Sequence, residues 1–228
     1  MPEPVAFYPL NARYKTAEKE NRQLKGILGG DVAITNGPYN EPGGAYMFYG
    51  TDSSYIKFPN RGGLDTRFSI TMMCWVQPGG QDGPLFSYGK DGGGIQIWIE
   101  MGRFSLINIR NDGKTHRVMS TDTLPAGVWA RVVATYDYDT GLNSIYINGH
   151  LNKSQNIDKG YEISTNAEEV RMGTREGDAR YFKGKITEMK VYNVALNEAQ
   201  IKQMINQGIA KIESQLFTFF FTLCSIFI

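Results

Sequence analysis

Residues suited to recognising a hydroxyl-rich ligand fall on two neighbouring strand patterns. Ile95-Gln-Ile-Trp-Ile99 alternates, which puts Gln96, Trp98 and Glu100 on the face opposite Ile95, Ile97 and Ile99. On the next pattern, Arg103 to Ile109, Asn108 and Arg110 share a face, and they are expected to complete the same surface. An aromatic ring flanked by amide, carboxylate and guanidinium groups suits stacking on a pyranose ring with hydrogen bonds to its hydroxyls. The same pattern also fits a Trp98 that a loop covers and that serves packing alone. Covalent catalysis has less to work with. His116 and His150 are the only histidines, and neither lies in a Ser- or Cys-containing nucleophile motif. Cys74 and Cys224 make no disulfide framework and no Cys-x-x-Cys pair, so no zinc or haem site is expected. The chain is therefore not expected to be an enzyme.

The elements that would position these residues read as β-structure. Tyr55 to Phe58, Phe68 to Val76, Leu85 to Tyr88, Trp129 to Tyr136 and Asn143 to Ile147 all carry strand patterns. In the second of these, Phe68, Ile70, Met72, Cys74 and Val76 share one face. Asn111-Asp-Gly113, Asp139-Thr-Gly141 and Asn148-Gly149 are turn signals, since such turns demand residues tolerant of positive φ. Glycine outnumbers proline 26 to 9, which fits many strands joined by tight turns. Across 228 residues the pattern predicts one all-β, two-sheet antiparallel sandwich or jelly roll. With 24 basic and 23 acidic residues, the net charge of +1 makes no electrostatic case for nucleic acid or an anionic membrane.

The segment from Tyr181 to Ile201 is the most specific. It reads as a strand over Lys185 to Tyr192, in which Thr187, Met189 and Val191 alternate with Glu188, Lys190 and Tyr192. A helix follows, with Asn197 as its cap and Gln200 at the third position of a capping box. Ile201, Met204 and Ile205 line one face, and Gly208 supplies the stop. Tyr181-Phe-Lys-Gly-Lys-Ile-Thr-Glu-Met-Lys-Val-Tyr-Asn-Val-Ala-Leu resembles the closing signature of laminin-G-like domains of the concanavalin A type. Phe7-Tyr-Pro-Leu10, Ala45 to Pro59, Phe68 to Val76, and Trp129 to Asp137 followed by Ile145-Tyr-Ile-Asn-Gly149 resemble the family's other landmarks, in its order. Together they cover about residues 5 to 207 and imply a jelly roll over residues 1–212. Residues 213–228 form a hydrophobic tail expected to lie outside the fold. The apolar run is shorter than the roughly 20 residues of a membrane helix.

The resemblance implies an extracellular, lectin-like binding module recognising glycans or glycosylated surfaces, within a larger multidomain protein. A protein–protein adhesion module is the alternative. Residues 1–10 lack the charged and apolar regions of a secretory signal, so the extracellular expectation rests on the resemblance alone. Pentraxins, a calcium-using branch of the same group, imply Asp91, Glu176 and Asp178 as calcium carboxylates, with calcium as the cofactor. Arg180 stands where that branch offers a further oxygen ligand, and Gly92 replaces a side-chain donor. A second ion is therefore not expected. The three acids are more simply read as solvated loop residues. Glycoside hydrolases share the architecture, but their Glu-x-Asp-x-Glu-type strand pair has no counterpart here. Asn152-Lys-Ser154, just past a turn, is a candidate glycosylation site.

Overall fold

The computed structural model describes residues 1–89, 94–109, 113–165 and 169–207. Its strands, numbered β1 to β15 along the chain, form two stacked sheets in which every pairing is antiparallel. One sheet has eight strands. Its order is β13 (His150–Asn156), β12 (Leu142–Ile147), β11 (Ala130–Asp137), β6 (Ile70–Gln81), β15 (Lys183–Tyr192), β4 (Ala45–Tyr49) and β3 (Val32–Thr35), with β1 (Ala6–Tyr8) on a further stretch of β15. The other has seven. It runs β10 (Thr115–Thr123), β9 (Arg103–Ile109), β8 (Gly94–Glu100), β7 (Gly83–Tyr88), β14 (Glu169–Met172), β5 (Ile56–Pro59) and β2 (Ile27–Leu28). The expected all-β jelly-roll sandwich is the observed architecture.

Alternating apolar residues build the core between the sheets. Ile70, Met72, Cys74 and Val76 from β6 face Ile95, Ile97 and Ile99 from β8 in one buried cluster. Phe68, expected on that face, precedes the strand instead. It is 54% exposed, with its ring edge-on to Tyr138. Cys74 is a fully buried free thiol, and burial pushes its pKa up to about 12, so it behaves as a small hydrophobe.

The closing segment folds as its pattern implies, with one change. A bulge between Thr187 and Lys190 breaks the alternation, and Glu188 takes φ +51°. Thr187 turns outward, donating its hydroxyl to Pro9 O at 2.9 Å, while Met189 and Val191 enter the core. Helix α1, described over 198–207, starts with the reciprocal Asn197–Gln200 capping bonds, both 2.9 Å. Its Ile201, Met204 and Ile205 cover Met73, Val133, Tyr146 and Tyr192 on the outer face of the eight-stranded sheet. Gly208 and the 213–228 tail lie outside the described residues.

Candidate functional site

Strand alternation places Gln96, Trp98 and Glu100 together on the outer face of the seven-stranded sheet, as expected. Their exposure is not as expected. Gln96 and Trp98 are fully buried, and Glu100 is nearly so. The guanidinium of Arg180 lies 4.4 Å from the Trp98 ring centre, in the position a stacked sugar would take. The indole N–H donates to Gln96 Oε1 at 2.8 Å. Trp98 is thus a covered ring that seats Arg180, rather than an open platform.

Asn108 does not join this face. Met101-Gly102 makes a two-residue hairpin with positive φ at both positions, so Glu100 opposes Arg103 and Trp98 opposes Ser105. Asn108 then opposes Ile95 and points inward, fully buried. Its partner in the expected platform, Arg110, lies outside the described residues. The β9 residues that do share the Trp98 face are Arg103, Ser105 and Ile107.

Arg180 is the organising side chain that sequence reasoning passed over as a binding group. Asp178 holds it at two points, accepting from Arg180 Nε at 2.9 Å and from Nη2 at 2.6 Å. Glu100 lies 3.6 Å from its Nη1 and 3.2 Å from Arg117 Nε, so one nearly buried carboxylate serves two guanidiniums. The side chain of Arg180 nevertheless remains 51% exposed. Asp178 thus takes Nε and one N–H of Nη2, while Nη1 faces Glu100. The hydrogen bond from Arg180 holds the Asp178 carboxyl below the usual carboxylate range, and the same contact raises Arg180 further.

These contacts decide what the acids can do. Of the expected calcium carboxylates, Asp91 lies outside the described residues. Glu176 lies 3.7 Å from Arg171 Nη2, and both Asp178 oxygens face Arg180. A divalent cation at Asp178 would have to displace a bidentate guanidinium, so Asp178 as arranged does not fit calcium. Among the described residues, no three His, Cys, Asp or Glu side chains gather into a metal cluster. Glycoside hydrolysis needs one carboxyl of raised pKa beside an ionised one. Asp178 moves the other way. Asn152 sits on edge strand β13 with its Oδ1 accepting from Thr121 N–H at 2.9 Å, half-buried rather than freely exposed.

No curated protein matches the chain in sequence. Among solved structures, the botulinum neurotoxin serotype G binding domain superposes with a TM-score of 0.71 at 16% identity, over 89% of this chain and 50% of that one. The binding domain of Paraclostridial Mosquitocidal Protein 1 gives 0.73 at 16% identity, over 90% and 52%. The botulinum neurotoxin serotype D ligand binding domain, in complex with N-acetylneuraminic acid, gives 0.72 at 14% identity, over 90% and 50%. These likenesses speak for the fold, and the chain spans about half the length of each structure. The Laminin_G_3 family matches residues 50–202, from just before β5 into helix α1. The chain belongs to this family of the concanavalin A-like lectin/glucanases superfamily.

Proposed function

We propose that the domain is an extracellular lectin-like binding module, one part of a larger protein, that recognises glycans or glycosylated surfaces through the outer face of its seven-stranded sheet. One observation carries this reading. Arg180 is half exposed, yet its plane is set by Asp178, Glu100 and Trp98. A donor fixed before the ligand arrives loses little side-chain entropy on binding, and a planar guanidinium suits hydroxyl pairs and carboxylates alike. Arg117, tied to the same Glu100, extends the donor surface. Calcium enters this reading only if Arg180 leaves Asp178.

The test is a glycan array probed with the full chain, once with calcium and once with chelator, alongside Arg180→Gln. Selective binding that survives the chelator and disappears in Arg180→Gln supports the reading. Binding lost in chelator would transfer the role to a metal. Silence from a folded protein in both buffers would sink it.

Adhesion to a protein is the second reading, and one feature favours it. The terminal strands β2 and β3, adjacent in sequence, expose Ile27, Leu28 and Ile34, which together offer apolar area to a partner. A partner captured through this edge would be indifferent to saccharides.

A further inference from the structure

The eight-stranded sheet carries a cavity of its own. Gln77, Trp129 and Lys185 form its floor on the outer face, because Lys185 pairs with Gln77 across β15 and β6 and Trp129 precedes β11 beside them. The stretch from Thr35 to Pro38, together with Asn40, forms its wall. This open groove has a volume of about 370 Å³, at the low end of the roughly 300–1,000 Å³ of small-ligand sites.

The wall is held in place by its own hydrogen bonds. Gly37 N–H donates to Glu41 O at 3.0 Å, Asn40 N–H to Gly37 O at 3.1 Å, and Gly44 N–H to Glu41 O at 3.2 Å. Tyr39 N–H donates to the Glu41 carboxylate at 2.8 Å, which turns that acid back into the loop. Behind the wall, the Tyr39 ring meets Trp75 edge-on at 6.0 Å, and Arg131 lies over Trp75 at 5.5 Å. Such a loop is organised before any ligand reaches it.

The chemistry of the lining is selective. Lys185 brings a positive charge, it has no ion pair among the described residues, and none of the lining side chains is acidic. Trp129 is half-buried and lines the groove together with Lys185. Asn36 Nδ2 donates to Asn40 Oδ1 at 3.1 Å, which leaves Asn36 Oδ1 as an acceptor and Asn40 Nδ2 as a donor. An indole at the lining, a donor–acceptor amide pair and one ammonium with no ion pair among the described residues match a ring bearing hydroxyls and one negative group.

We infer that this groove is a second binding site, for a saccharide unit carrying an anionic group, with Trp129 as the stacking surface, Lys185 as the counter-charge and Asn36 and Asn40 as hydroxyl partners. It lies on the opposite sheet from Arg180 and does not depend on that site.

The experiment is calorimetric titration of the full chain, with tryptophan emission read in parallel. The probes are a glucuronate-containing oligosaccharide, a sulfated heparin-type oligosaccharide, and a neutral cello-oligosaccharide of equal length. At least one anionic probe is expected to bind about tenfold more tightly than the neutral one, more weakly as salt is added, and to change the tryptophan emission. Binding of the glucuronate probe identifies the anion as carboxylate, and binding of the heparin-type probe alone identifies it as sulfate. Lys185→Gln is expected to lower that affinity about tenfold and Trp129→Phe to remove the emission change, while Lys25→Gln, at an exposed lysine that lines neither site, leaves both intact. Lys185 lies half-buried on the outer face of its sheet, outside the core, so its variant reads the site even if Trp129 variants fold poorly. Loss of binding in Arg180→Gln with Lys185→Gln unaffected would place the saccharide on the other sheet and overturn the inference. Absence of binding by either anionic probe would overturn it too, whatever the glycan array shows for the Arg180 face.

Discussion

The Arg180 guanidinium lies over the Trp98 indole, 4.4 Å from its centre, and is clamped from the side by both oxygens of Asp178. A residue from the loop before β15 thus closes over a residue in the middle of β8. The pair turns an interior-like aromatic into the support of a surface cation. Several expectations about the domain rest on this arrangement and on its counterpart on the opposite sheet.

Asp178→Asn should loosen Arg180, shift Trp98 emission towards that of a wetter indole, and lower stability by about 1 kcal/mol at neutral pH. The difference should depend on pH with a definite sign. Because the native carboxyl titrates below its unfolded value, its contribution is present above the ordinary carboxylate range and lost as pH falls through the native value. Urea midpoints of both proteins should therefore converge in strong acid. A gap that persists there would mean that the charge of Asp178 is not what stabilises.

On the opposite sheet, Arg131 is 5% exposed and pairs with Glu188 at 2.5 Å. Glu188→Gln leaves a buried guanidinium short of its counter-charge and should cost about 1–3 kcal/mol. Glu188→Gly loses the same pair but also relieves the positive φ of the bulge, which offsets roughly 1–2 kcal/mol. Equilibrium unfolding should rank Glu188→Gly as the more stable of the two; the reverse order would refute the strain at this position.

Gly83 opens β7 against the backbone of Tyr181 and Phe182, just before β15. A Cβ there would sit 2.2 Å from the Phe182 backbone nitrogen. Gly83→Ala should therefore destabilise by roughly 1–3 kcal/mol through overpacking. An unchanged thermal midpoint would show that the two segments can separate freely.

Helix α1 docks through Ile201, which is fully buried, and starts at the Asn197 cap. Ile201→Ala should cost about 2–4 kcal/mol and Asn197→Ala about 1 kcal/mol. Far-UV circular dichroism during urea unfolding would show whether the helix leaves the sheet in the same transition.

Legibility in the sequence followed burial. Strand β9 has the bounds its alternation implied, and the capping box forms with both of its bonds. Strands β10 and β13 carried little hydrophobic signal because most of their side chains face solvent, so only pairing to a neighbour defines them. The bulge at Glu188 is a tertiary choice: Thr187 finds its partner in Pro9, at the far end of the chain. Alternation placed Trp98 on the correct face but could not reveal that Arg180, distant in sequence, would cover it. Asn108 is different. With Met101-Gly102 as a two-residue turn, counting outward pairs Trp98 with Ser105 and sends Asn108 inward, so its placement was within reach of the sequence.

Strand β15, among the last elements in the chain, lies in the interior of its sheet, between β6 and β4, and also receives β1. Until it arrives, β6 and β4 have no bridge between them, and β1 has no partner in the sheet. During synthesis, a chain that has emerged only as far as Phe182 therefore presents two open strand edges, the configuration that invites pairing with other chains. Completion of the sandwich is a late, long-range event, and a ribosome pausing before β15 would hold the domain at its most aggregation-prone stage.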